Sequence, residues 1–89
     1  MTCIRDTSFG GMLKSIRHDN GLTLREGSLA LDVDAGNLSK MERNLLPPPD
    51  SSLKIHRLVR GYETTRSQRE LLCHAAFQFH IGKLQERFS

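Results

Sequence analysis

Three consecutive prolines, Pro47-Pro48-Pro49, constrain this chain more than any other feature. Each lacks a backbone N–H and holds φ near about −65°, so no α-helix runs through them, and the stretch suits an extended PPII-like connector. Any helix must lie before or after it. Strands are poorly supported on both sides. Aromatic and β-branched residues are scarce, and no alternating run exceeds a few residues. The chain is therefore expected to be all-α.

Helix start and stop signals recur before the prolines. Ser8 can cap a first helix with Phe9, Leu13 (or Met12) and Ile16 on one face, and Asn20-Gly21 can end it. Thr23 is the next N-cap. Glu26 lies three residues on, which makes a TxxE capping box. This second helix carries Leu24, Ser28 and Leu31, with Ala30 beside them. Asp32-Val33-Asp34 follows as a turn. Asp34 can cap a third helix with Leu38, Met41 and Leu45 on one face, and Asn44 suits a left-handed stop.

Beyond the prolines, Asp50, Ser51 or Ser52 caps a fourth helix carrying Leu53, Ile55, Leu58 and Val59, and Gly61 closes it. Thr64, Thr65 or Ser67 starts a fifth that runs to about Phe88. No internal repeat or second domain appears, so residues 1–89 read as one domain. Residues 8–62 or so hold the first four helices, and 64–88 or so hold the last.

A domain of 89 residues buries roughly 60–65% of its unfolded surface, which leaves it marginal and open to gain from a partner. No apolar run is long enough to span a bilayer, and the start, MTCIRDTSFGG, has no signal-peptide core. A cytoplasmic protein is expected. Cys3 and Cys73 form no CxxC pair and read as reduced thiols, Cys73 as a core residue. His18, His56, His74 and His80 show no metal-ligand spacing. There is no nucleophile–base motif and no phosphate-cradling glycine loop, so neither an enzyme nor a cofactor is expected.

The net charge is +3, and it is uneven. Residues 1–49 hold six Lys/Arg and six Asp/Glu, whereas residues 50–89 hold seven against four. This mildly favours anionic partners, and a solvated surface with a small basic surplus explains it equally well.

The third helical segment poses the functional question. Its outward positions are Ala35, Gly36, Asn37, Ser39, Lys40 and Arg43. Side chains so small and polar make a poor pocket wall, but they suit close approach to another molecule.

The stretch "LKSIRHDNGLTLRE" followed by "LDVDAGNLSKMERNLLPPP" resembles the XRE/Cro-repressor family of helix-turn-helix DNA-binding proteins. The matching positions are Leu13, Arg17, Gly21-Leu22-Thr23, Gly27-Ser28, Asp32-Val33-Asp34 and Leu38-Ser39-Lys40-Met41-Glu42-Arg43-Asn44. The likeness covers about half of the chain closely and the fourth helix more loosely. Asp32 and Asn44 stand where the family has glycine, and Asp and Asn are the residues that best tolerate the left-handed region after glycine. Ser28 replaces the usual Ala of helix two. Gly27 falls where the family has a core Leu, and marks either a close contact or a weak helix.

The resemblance implies a compact five-helix, lambda-repressor-like domain with a long last helix. It implies that helix three enters the major groove of double-stranded DNA, with Ala35, Gly36, Asn37, Ser39 and Lys40 towards base edges. Asn37 can read adenine, Lys40 can donate to guanine or phosphate, and Ala35 can touch a thymine methyl. Thr23, Arg25 and Arg43, with Lys14 a weaker candidate, are expected on phosphates. The resemblance also implies an ion pair between Arg17 and Glu42 beneath the DNA-facing surface.

With no net charge in residues 1–49, nonspecific affinity is expected to be modest, so binding should use two half-sites and hence a homodimer. The fifth segment can supply it. Leu72, Ala76 and Phe79 form one apolar stripe, and Phe77, Ile81, Leu84 and Phe88 form another, more than one helix needs to cover a small core. Gly82 can bend or end that helix. The expected function is a dimeric repressor of a palindromic operator. The alternative is an adaptor or antitoxin-like protein that keeps the fold to bind a regulatory protein partner.

Overall fold

In the computed structural model the described residues are 8–88, with side chains described through Gly82. Five α-helices follow in order: α1 (Phe9–Asp19), α2 (Leu24–Leu31), α3 (Ala35–Glu42), α4 (Ser52–Leu58) and α5 (Arg66–Phe88), with a 3₁₀ turn over Val59–Gly61 between the last two. No strand occurs among the described residues. No helix among them is long and apolar enough to cross a membrane.

Each early helix begins where a short polar side chain replaces a missing partner for the first-turn N–H groups. Ser8 accepts from the Gly11 N–H at 3.1 Å, and Ser51 from the Lys54 N–H at 3.2 Å. Thr23 and Glu26 form a reciprocal box: the Glu26 N–H donates to Thr23 Oγ1 at 3.2 Å, and the Thr23 N–H donates to Glu26 Oε1 at 2.9 Å. Thr65 and Gln68 repeat that arrangement at the start of α5, at 3.1 and 2.9 Å. The left-handed stops are Asp32 (φ 57°) and Asn44 (φ 61°).

The core joins Phe9, Leu13 and Ile16 of α1 to Leu31, Leu38, Ile55, Val59 and Tyr62, and to Leu72, Ala75 and Ala76 of α5. Burying a Leu, Ile or Val side chain fully contributes about 1.5–3 kcal/mol, and Leu13, Leu38, Ile55, Val59 and Leu72 are all buried to that degree. Two sequence expectations fail here. Leu45 and Leu53 are 61% and 60% exposed. Leu45 lies past the end of α3, and Leu53 sits on the outer side of a seven-residue helix that buries Ile55 instead.

The expected dimer stripe is also corrected in part. Leu72 and Ala76 are enclosed by the chain's own core, so no partner can take them. Phe77 points outward and is 61% exposed. Phe79 and Ile81 are half-buried. The side chains of Leu84 and Phe88 lie outside the described residues, as does Cys3. Cys73 is half-buried and packs against the core, and burial pushes its thiol pKa up.

Candidate nucleic-acid interface

The turn between α2 and α3 is set by backbone bonds and a left-handed residue. The Asp32 N–H donates to the Leu29 carbonyl at 3.3 Å, and the Val33 N–H to the Ser28 carbonyl at 3.0 Å, while Asp32 takes the conformation usually given to glycine. Asp34 then caps α3 by accepting from the Asn37 N–H at 3.2 Å. With so short a connection, α3 crosses α2 closely and packs on α1 as well.

Two opposite faces result on α3. The inner face carries Leu38, which is fully buried, half-buried Met41, and Glu42 at its last turn. On the outer face Gly36, Asn37 and Lys40 are exposed, and Ala35 and Ser39 are half-buried. Arg43, just past the helix end, is exposed, and its Nε donates weakly to the Ser39 carbonyl at 3.4 Å. Thr23 and Arg25 are exposed at the start of α2, and Lys14 is exposed on α1. Hydrogen bonds from the Thr23 backbone and hydroxyl hold the Glu26 carboxyl below the usual carboxylate range. That keeps an anion beside the positive end of α2.

Beneath this surface lies a buried ion pair. Arg17 Nε donates to Glu42 Oε2 at 2.7 Å, and a second guanidinium nitrogen donates to Glu42 Oε1 at 2.9 Å. The third nitrogen, Nη1, donates to the Leu22 carbonyl at 3.0 Å. The fork therefore ties α1, the α1–α2 loop and the end of α3 together. The hydrogen bond to Glu42 raises the Arg17 pKa and outweighs the opposing effect of burial. Bidentate guanidinium–carboxylate geometry fixes orientation as well as distance.

Two further clasps could not be read from spacing. Asn44 accepts from the Gly10 N–H at 3.0 Å and donates to Ser8 Oγ at 2.9 Å, which joins the end of α3 to the start of α1. Asn20 exchanges two bonds with the Glu63 backbone, at 2.8 and 3.0 Å, and so joins the end of α1 to the segment before α5. Both asparagines looked like local helix stops in the sequence. Their long-range partners carry no local signal.

Among the described residues no group of His, Cys, Asp and Glu is placed to hold a metal ion. No family model matches this chain, and no curated protein or solved structure matches it.

Proposed function

We propose that this protein is a sequence-specific DNA-binding regulator that acts as a homodimer on a palindromic operator and represses transcription. The observation that carries this is α3 itself: its outer face is small and polar, and its inner face is held by Leu38 and the Arg17–Glu42 pair. A helix of about 10–12 Å diameter fits the major groove of B-DNA, about 12 Å wide. Gly36 and Ala35 would allow close approach. Asn37 and Lys40 would read base edges, with Ser39 as a shorter-range donor. Thr23, Arg25, Arg43 and Lys14 would hold phosphates. The outward side of α5, beginning at exposed Phe77, supports association of two copies. The groups for such a task are hydrogen-bond donors and cations, and no catalytic role is assigned to any residue.

Selection of bound sites from random double-stranded DNA tests this reading directly. The expected product is a palindrome with half-site centres roughly 34 Å apart, one helical turn. The logarithm of the binding constant should fall linearly with log salt, with a slope of about −0.9 per phosphate neutralised. No enriched sequence, or an affinity unchanged by Asn37→Ala plus Lys40→Ala, would defeat it.

A second reading has one observation in its favour. Leu29, on the outer side of α2, is 75% exposed. An exposed leucine beside an electrically neutral helix pair suits an adaptor or antitoxin-like protein that binds a regulatory protein. Retention of a protein partner by the wild type but not by Leu29→Glu, without DNA binding, would favour that reading.

A further inference from the structure

Gly27 is an interior residue of α2, where glycine is a poor helix former. A Cβ at that position would lie 2.6 Å from the Tyr62 hydroxyl oxygen and 2.7 Å from Arg17 Cδ. Both distances are too short for a real contact. The missing side chain is therefore a slot, and Tyr62 and Arg17 fill it.

Gly61 makes the same kind of allowance on the other partner. A Cβ there would run into the Ala30 carbonyl of α2. The chain leaving α4 thus lies directly on the α2 backbone. Tyr62 follows in extended conformation, its N–H bonded to the Val59 carbonyl at 2.9 Å, and turns its ring inward. The residue is 5% exposed, and its hydroxyl has no hydrogen-bond partner among the described residues. Three segments meet here, Arg17 of α1, Gly27 of α2 and the stretch after the 3₁₀ turn, and Arg17 carries the arrangement on to Glu42 of α3 through its bidentate bond. Burial raises the pKa of the phenol most, the Glu42 carboxylate adds to that, and the Arg17 guanidinium opposes it.

We propose that Tyr62 is the positioning residue of the α2–α3 pair, a wedge in the Gly27 slot that fixes how α2 lies and, beside Arg17, where Glu42 and the end of α3 are seated. The outward face of α3 then takes its orientation from a residue outside the helix-turn-helix segment. The link to DNA rests on the function proposed above; the link to α3 geometry does not.

The test uses the full chain and reads the backbone amide resonances of Asn37 and Lys40 together with affinity for the selected operator. In a slack helix, Gly27→Ala would stabilise the protein and leave those amides in place. With the slot filled, Gly27→Ala is expected to displace both amides and weaken operator binding about tenfold. Removing the hydroxyl in the same chain, Gly27→Ala with Tyr62→Phe, is expected to return the amides part of the way towards wild type and to recover part of the affinity, because Arg17 Cδ still crowds the new methyl. Tyr62→Phe alone keeps the ring and should leave the amides unmoved.

Undisturbed amides in Gly27→Ala would overturn the proposal, and so would a double variant no better than the single one. If Gly27→Ala fails to fold, rescue of folding by Tyr62→Phe supports the wedge, and its absence overturns it. Amides that shift and recover in a chain whose wild type binds no DNA would defeat the proposed function and leave the role of Tyr62 standing.

Discussion

Helices α3 and α5 each bury one face and expose the other, but their exposed faces differ in kind. On α3 the outside is Gly36, Asn37 and Lys40, and the inside ends in a paired guanidinium and carboxylate. On α5 the inside is Leu72, Ala75 and Ala76, and the outside includes Leu71 at 54% and Phe77 at 61% exposure. The first surface offers hydrogen bonds and the cations Lys40 and Arg43 beside exposed Asp32 and Asp34, with its backbone fixed by polar ties. The second offers apolar area. One small domain thus presents two chemically distinct surfaces. On the function proposed above, DNA would meet the first surface and a second copy the second.

The sharpest way to break this contrast is at the base of α3. Glu42→Ala leaves a buried guanidinium unpaired and is expected to cost about 3–5 kcal/mol in urea unfolding. Arg17→Met with Glu42→Leu should recover most of that loss. Equal losses in the single and double variants would show that the cost does not come from the unpaired guanidinium. Next come the exposed residues. Asn37→Ala and Lys40→Ala should each weaken operator binding by about 1–3 kcal/mol while thermal stability stays the same. A fall in melting temperature instead would mean that the outer face of α3 is structural.

The third test uses the fact that the chain contains one tyrosine. Burial pushes the Tyr62 phenol from 10.0 up to about 12. In the unfolded chain it ionises first, so the folded state holds the proton more tightly. Its contribution is complete below pH 10.0 and is lost as the pH rises towards 12. An alkaline loss of about 1–2 kcal/mol is expected, absent in Tyr62→Phe, and the ultraviolet phenolate signal reads the same titration. A tyrosine that titrates near 10.0 in the folded protein would place the ring outside the core. The smallest effect belongs to α5. Phe77→Ser should change folding stability by less than about 0.5 kcal/mol and weaken self-association by roughly fivefold. Wild-type sedimentation as a monomer at every concentration would remove the α5 half of the comparison.

Local chemistry was legible in the sequence, and long-range approach was not. The caps at Ser8, Thr23, Asp34 and Ser51, and the left-handed stops at Asp32 and Asn44, depend on bonds spanning a few residues, and residue type announces them. The five helices follow from those signals. The Arg17–Glu42 pair spans 25 residues and entered only through a resemblance in pattern. For Gly27, the resemblance left a close contact and a weak helix as equals, and the short distances to Tyr62 and Arg17 decide for the contact. Tyr62 itself carried no signal. A lone tyrosine after a glycine says nothing about which helix it will meet. The apolar stripe on α5 was visible, but spacing does not say which stripe the chain keeps for itself.

Asn44 has a consequence for how this sequence can change over time. Glycine would ease its positive φ, and many chains would tolerate that exchange at a helix end. Here the amide group also grips Gly10 and Ser8, so the backbone relief would come with release of the opening turn of α1. Gly10 is bound to the same arrangement, since any side chain there would collide with the carbonyls of Met41 and Glu42. Positions 10 and 44 are therefore expected to drift together or not at all.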